Sequence, residues 1–330
     1  MHVRIKYFSQ LVISTSLILG SSKFHSITDP SSLSLGNALT GAQFSMDAGV
    51  INPARMVHFK KGHILFTRES RFSGSLNREI VSYRSKSIPI KFIFLHEGVY
   101  NIPNTQNALY DLNGDGVLNN NERLIKNQIS YFNQHRFGLI FQHAVIFNNF
   151  ITGIGVSSFF SSTLGETAHS ININGGILKK FSTIFTVGLE VKNIPIIPLN
   201  WSSDRKEIPR PEIFLGGSIT PILQYSWYQL NLFFDGGLSV DGRTLDDDFH
   251  ISDHGGIIRY GIELGADDFF TLRFGRSRKN NLGVGFNLKG EKINITYTLD
   301  MIKDWGASGN GHVLSLLVEG NTLKNWLNYN

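Results

Sequence analysis

Residues 291–300 read EKINITYTLD. In an extended chain Ile293, Ile295, Tyr297 and Leu299 fall on one side. Lys292, Asn294, Thr296 and Thr298 fall on the other. Side chains of a strand alternate between its faces, so period two predicts a strand with one apolar face. The pattern recurs. In STIFTVGLEV (182–191), Phe185, Val187, Leu189 and Val191 oppose Ile184, Thr186, Gly188 and Glu190. In YQLNLFFDGG (228–237), Tyr228, Leu230, Leu232 and Phe234 oppose Gln229, Asn231, Phe233 and Asp235. FFTLRFGRS (269–277) sets Phe270, Leu272 and Phe274 against Thr271, Arg273 and Gly275.

Working outward gives about fourteen such segments, beginning near residues 62, 78, 88, 136, 150, 168, 182, 212, 226, 256, 267, 280, 291 and 310. An even number of alternating strands of roughly ten residues is the signature of a transmembrane antiparallel β-barrel. The joints support it. Short ones near 85–87, 147–149, 179–181, 223–225, 266–268 and 289–291 interleave with mostly longer ones at 99–134, 160–167, 193–211, 238–255 and 301–309. Barrels of the outer membrane place short turns on the periplasmic rim and long loops outside. The expected fold is therefore all-β: an up-and-down barrel of about 14 strands over 61–330, with 99–134 as its longest outer loop.

Composition agrees. Of 330 residues 41% are apolar, 12% aromatic and 17% charged, with 25 Phe and 33 Gly. Charged residues are scarce for a soluble domain, where about 25% is usual. There is no cysteine, which excludes disulfides and thiolate chemistry. The net charge of +5 is spread singly along the chain, so nucleic acid is not an expected partner.

The first residues, MHVRIKYFSQLVISTSLILGSS, put Arg4 and Lys6 ahead of an apolar run and end it in Gly20, Ser21 and Ser22. This reads as a secretory signal peptide over 1–22, hence an integral protein of a Gram-negative-type outer membrane, in contact with outer-membrane lipid and lipopolysaccharide. Residues 31–56, SSLSLGNALTGAQFSMDAGVINPARM, are rich in small residues and do not alternate. Two readings remain open for them, a tail or a plug folded into the lumen.

That segment carries a likeness. Gly36, Ala38, Gly41, Asp47 and then Asn52, Pro53 and Ala54 resemble the opening of FadL-like outer-membrane proteins, especially their PorV/PorQ branch. YGIELGADDFFTLRFGRSRKNNLGVGFNLKGEKINITYTL (260–299) is similar to that family's repeated hairpins. The likeness covers 31–56 and 256–319. It implies fourteen strands, a hatch over 23–60 with Asn52, Pro53 and Ala54 in it, and a component of type IX-like secretion. Such a component receives exported cargo, with secreted proteins or secretion machinery as partners. The alternative it leaves is a FadL-type channel for hydrophobic small molecules. The chain departs from the usual terminal aromatic strand: after Glu319 it continues GNTLKNWLNYN, so either Trp326 or Tyr329 serves or a tail follows.

The sharpest local motif is DLNGDGVLNNNE, residues 111–122. A calcium loop takes oxygen from positions 1, 3, 5, 7, 9 and 12, with Gly at 6. Here these are Asp111, Asn113, Asp115, the carbonyl of Val117, Asn119 and Glu122, with Gly116 at the turn. The expectation is a structural Ca²⁺ clasp in the outer loop, with short helical turns on its flanks; the bland reading is an ion-free polar turn. His96, His135, His143 and His169 lack metal-ligand spacing. The cluster Asp246, Asp247, Asp248, His250 and Asp253 reads as a solvated loop. GVGFNLKG lies in a hairpin without a helix to hold phosphate. No nucleophile elbow is present, and an enzyme is not expected.

Overall fold

A computed structural model describes residues 29–43, 50–105, 107–112, 114, 119–221, 227–240, 247–266, 269–278, 281–302 and 309–327. The signal peptide reading lies outside these residues. Fourteen long strands follow in chain order: β1 His63–Arg71, β2 Leu76–Arg84, β3 Ile90–Asn104, β4 Ser130–Phe147, β5 Phe150–Thr163, β6 Glu166–Lys180 and β7 Phe185–Trp201. Then come β8 Glu212–Ile219, β9 Tyr228–Ser239, β10 His254–Ala266, β11 Phe270–Arg278, β12 Asn281–Lys289, β13 Ile293–Ile302 and β14 Gly311–Glu319. Each pairs antiparallel with its neighbours in sequence. The ring closes where β1 meets β14, from His63 opposite Glu319 to Ser70 opposite His312. A closed ring leaves no strand edge bare, a condition that lipid imposes.

The alternation read from sequence resolves into two walls, and the apolar one faces out. Phe94 is 48% exposed while Leu95 beside it is 2% exposed. Ile295, Phe234, Leu189 and Phe274 lie on the outer wall; Asn294, Thr296, Asp235, Glu190 and Arg273 are buried inside. A soluble protein does the reverse. Here the outer solvent is hydrocarbon.

One joint departs from expectation. Residues 160–167 are mostly strand, and β5 meets β6 in a two-residue turn, Leu164–Gly165, with φ of 45° and 81°. Successive positive φ values are those of the type I′ hairpin, which matches the right-handed strand twist. The expected 99–134 loop likewise narrows to 105–129, because β3 and β4 pair up to Asn104 opposite Ser130.

A short helix, α1 Pro30–Ser34, is capped by Asp29, whose Oδ1 accepts from the Ser31 and Ser32 amides at 2.9 and 3.2 Å. A 3₁₀ stretch covers Pro53–His58. Both are buried against the inner wall: α1 packs on β11 to β14, the 3₁₀ stretch on β4 to β6. A second helix, α2 Gly320–Leu327, follows β14. The tail reading of the C-terminus therefore holds, and Tyr329 lies outside the described residues.

Candidate functional site in the barrel lumen

Asn52 ties the N-terminal segment together and, more weakly through its side chain, to the inner wall. Its Nδ2 donates to the Thr40 carbonyl at 2.7 Å, and more weakly to the carbonyls of Ile177 on β6 and Leu189 on β7 at 3.3 and 3.4 Å. Its Oδ1 accepts from the Ala54 amide at 3.1 Å, and its own amide donates to Glu190 Oε1 at 2.8 Å. Asn52 has a φ of 50°, which Asn tolerates better than most residues. Proline at the next position opens the 3₁₀ turn, where no amide hydrogen is needed. The approach is possible because the wall is bare there: a Cβ at Gly176 would fall on the Asn52 amide, and one at Gly153 on the Pro53–Ala54 backbone. The Asn52, Pro53, Ala54 sequence thus has a geometric reason. Further ties run from Thr40 Oγ1 to Asp235 Oδ2 (2.7 Å), Ser218 Oγ to the Gly41 carbonyl (2.9 Å), and Thr298 Oγ1 to the Pro30 carbonyl (2.6 Å). The Arg84 guanidinium donates to the Val57 and Phe59 carbonyls at 2.7 and 2.5 Å.

Strand register sorts the inner wall of β1 to β6 into rows. Towards the rim that bears the 105–129 joint, Glu69, Arg78, Glu97 and Arg136 stand directly opposite one another on successive strands. Arg78 bonds Glu69 at 2.7 Å and Glu97 at 2.5 Å, and Arg136 reaches Glu97 at 3.3 Å. Arg71 joins Glu69 at 2.5 Å and also pairs with Asp300. Of these three cations and three anions, Arg78 is partly buried and the other five are buried, and each one's charge is compensated by a neighbour. One row below come Thr67, Ile80, Leu95, Gly138 and Phe159; below that, Leu65, Ser82, Ile93, Ile140, Ser157 and Asn172. From these two rows Leu65, Ile80, Leu95, Ile93, Ile140 and Phe159 join Leu317 and Phe59 in one buried apolar cluster. Gly138 leaves the space into which the Phe159 ring extends towards Leu95. The lowest row is Arg84, Lys91, Gln142, Gly155 and Asn174, with Lys91 Nζ 4.2 Å above the Phe59 ring. An apolar patch therefore sits between a charged layer and the N-terminal segment.

The outer loop differs from expectation. Its flanks pair as a two-stranded stem, Leu109 opposite Leu124 and Tyr110 opposite Arg123, and the expected helical turn is present only beyond it, as a 3₁₀ turn over Lys126–Gln128. The Ile125 amide bonds the Ala108 carbonyl at 2.7 Å and closes the stem. Asn113, Asp115 and Val117 lie outside the described residues. Of the others, Asp111 Oδ1 accepts from the Gly114 amide at 2.7 Å; Glu122 Oε1 and Oε2 accept from Leu112 and Asn119 at 3.0 and 2.8 Å. The first and last carboxylates of the motif thus both accept backbone amides of the loop.

The other candidates separate. Asp248 accepts from Arg276 at 2.5 Å and from the Ile258 amide at 2.8 Å, and Asp246 lies outside the described residues. His96 and His135, which spacing left unconnected, share a hydrogen bond of 3.2 Å on the outer wall, and His96 also meets Glu79 at 3.0 Å. Among the described residues no His, Asp and Glu group has the arrangement of a metal centre. The row of opposed charges and the apolar patch escaped the sequence reading. Their signal, inward Arg and Glu at alternate positions, is visible in each strand but gains meaning only with the register.

Neither a protein-family model nor a curated protein matches this chain. Solved structures do. The CymD monoaromatic hydrocarbon channel is similar at a TM-score of 0.50 and 10% identity, over 88% of this chain and 96% of that one. The TodX ΔS2S3 mutant, also a monoaromatic hydrocarbon channel, gives 0.52 and 9%, over 89% and 99%. A Pseudomonas aeruginosa FadL homologue gives 0.45 and 12%, over 89% and 98%. At such identities the first two likenesses concern the fold alone, that of a closed membrane β-barrel.

Proposed function

We propose that this chain is an outer-membrane channel for hydrophobic small molecules, with residues 29–59 as a plug in its lumen. The observation that carries the reading is the contiguous apolar patch of Leu65, Ile80, Ile93, Leu95, Ile140 and Phe159 on the inner wall, directly below the row of paired charges. A water-filled pore has no use for it, because burying apolar surface is what holds an apolar solute. The hydrocarbon channels that share the fold support the same reading. The charged row is its outer boundary, and the segment anchored by Asn52 its inner one. Transit requires the plug or the wall to yield. The pairing of β6 and β7 is the most irregular among the described strands: it slips three times between His169 and Gly175, opposite Pro195 and Ile194.

Proteoliposomes holding the purified barrel, loaded with toluene, test it. Release faster than from empty vesicles, slowed by Leu95→Arg, is expected; equal rates refute it. Secretion of cargo remains a second reading, on the resemblance of 31–56 and 256–319 alone. Loss of surface proteins on deletion, with hydrocarbon uptake intact, favours that reading. The signal peptide delivers the chain to the outer membrane, where the apolar outer wall contacts lipid and lipopolysaccharide. The 111–122 loop takes Ca²⁺ through Asp111, Asn113, Asp115, the Val117 carbonyl, Asn119 and Glu122, and serves as a structural clasp. No residue set argues for catalysis.

A further inference from the structure

The charge that is spread singly along the sequence is sorted by the fold. Strands of an antiparallel barrel bring every second joint to the same rim. On the rim of short joints, Lys60 and Lys61 lead into β1, and Lys86 lies in the β2–β3 turn. Lys179 and Lys180 end β6, and Lys289 and Lys292 flank the β12–β13 turn. These seven cations share the rim with four acids, Asp267, Asp268, Glu291 and Glu319. The two longest joints of the opposite rim have the reverse sign: 105–129 holds three acids and two bases, and 240–253 five acids and one base.

The surroundings of these lysines fix their depth. Phe147, Phe150, Phe181, Trp227 and Phe269 are exposed on the same rim, as in the aromatic girdle that marks the boundary of the apolar band. Lys179 stands opposite Phe150 on the outer wall, and its Nζ lies 4.7 Å from the centroids of both the Phe150 and the Phe181 ring. A lysine so placed lays its stem on apolar surface and keeps its ammonium in the polar layer. Lys60, Lys61, Lys86 and Lys180 are exposed. Lys86 donates to the Asn321 side chain at 3.0 Å. No salt bridge ties it, Lys60, Lys61, Lys179, Lys180 or Lys292 to an acid among the described residues. The charge of the rim is therefore left for a partner.

We propose that this rim binds the phosphate groups of phospholipid in the inner leaflet of the outer membrane, with Lys60, Lys61, Lys179 and Lys180 as the cations that hold them. Short joints lie on the periplasmic side, where that leaflet sets its headgroups against the rim. An ammonium is a point-charge partner for phosphate, and one lysine near an anionic lipid surface is worth about fivefold in affinity. The acidic joints of the other rim repel the same headgroup, so the attraction also distinguishes the two ends of the barrel. The surface is on the outside of the barrel and does not depend on what the lumen carries.

The full chain is purified and reconstituted into vesicles in which brominated phosphatidylglycerol competes with brominated phosphatidylcholine. Quenching of tryptophan fluorescence, to which the exposed Trp227 on this rim contributes, gives the relative affinity of the two lipids for the barrel. The parent is expected to favour phosphatidylglycerol about fivefold at low salt. The preference falls towards unity at about 1 M salt, where the screening length is about 3 Å. Lys60→Gln, Lys61→Gln, Lys179→Gln and Lys180→Gln together abolish it at low salt, and Lys→Arg at the same four positions retains it. Equal quenching by the two lipids in the parent overturns the proposal. So does a preference that persists in the folded Lys→Gln variant, or one indifferent to salt. If the Lys→Gln variant does not fold, the salt dependence of the parent decides.

Discussion

Asn52→Ala is the substitution whose effect the structure specifies best. It removes the acceptor of the Ala54 amide and the 2.7 Å donor to the Thr40 carbonyl. Two buried backbone groups are left without partners at about 1–3 kcal/mol each, or roughly 2–6 kcal/mol together. The bonds to the Ile177 and Leu189 carbonyls, at 3.3 and 3.4 Å, are long and add little, since those carbonyls belong to the β6–β7 ladder. Alanine at a φ of 50° adds strain that glycine does not. Both lost bonds join parts of the N-terminal segment and neither holds barrel strand to barrel strand, so the loss falls on the folded form of that segment and not on closure of the ring. Even the lower figure raises the open population of that segment about thirtyfold. Hydrogen exchange of peptides covering 29–43 and 50–59, read by mass spectrometry on the barrel in detergent, measures it directly. Asn52→Ala is expected to exchange at least about thirtyfold faster there, with Asn52→Gly between it and the parent. Heat-modifiable electrophoretic mobility is expected to stay that of a folded barrel. Exchange unchanged in both variants refutes the claim that this amide holds the segment in place.

Gly176→Val places a side chain on the Asn52 amide and is expected to accelerate exchange of the same peptides as much as Asn52→Ala does; normal protection contradicts the close approach. Glu97→Ala leaves Arg78 and Arg136 short of their shared anion and is expected to destabilise the barrel by about 3–5 kcal/mol, seen as a lower unfolding midpoint in urea. A midpoint equal to the parent's shows that the row is solvated. Asp111→Ala with Glu122→Ala is expected to abolish Ca²⁺-dependent protease resistance of residues 105–129, and equal resistance of the parent with and without chelator refutes the calcium clasp.

How far the sequence alone reaches depends on the range of the force involved. The strand period is set residue by residue by the lipid outside, so EKINITYTLD and its fellows announce themselves, and thirteen of the fourteen expected starts fall within three residues of the observed ones. The exception, β4, begins at Ser130 and not near 136, because Tyr131 and Phe132 stand where alternation no longer applies. The Leu164–Gly165 turn was hidden because neither residue is a strong turn former by type except Gly165. The motif 111–122 was legible because its spacing is local; its stem was not, since Leu109 and Leu124 pair across the whole loop. The lumen was the least legible part. Arg71 and Asp300 are 229 residues apart and meet only because the ring closes between β1 and β14.

The strands are unequal in a way that shapes the mouth of the barrel. β11, β12 and β14 have nine residues each, and β4 has 18, β7 17 and β3 and β6 15. At about 3.4 Å per residue and a tilt near 40°, nine residues rise roughly 23 Å and just cross the apolar band, while 18 rise about 47 Å. The regular in-and-out alternation of burial stops after Glu97 on β3 and after Val191 on β7, and starts only at Gln134 on β4. The surplus therefore stands on the side of the long joints, as a parapet along one half of the mouth. The mouth is cut obliquely. If the proposed channel reading holds, a molecule in the outer medium meets a wall on the β3–β7 side and a low sill on the β11–β14 side, and its approach over the rim has a preferred bearing before any contact in the lumen is made.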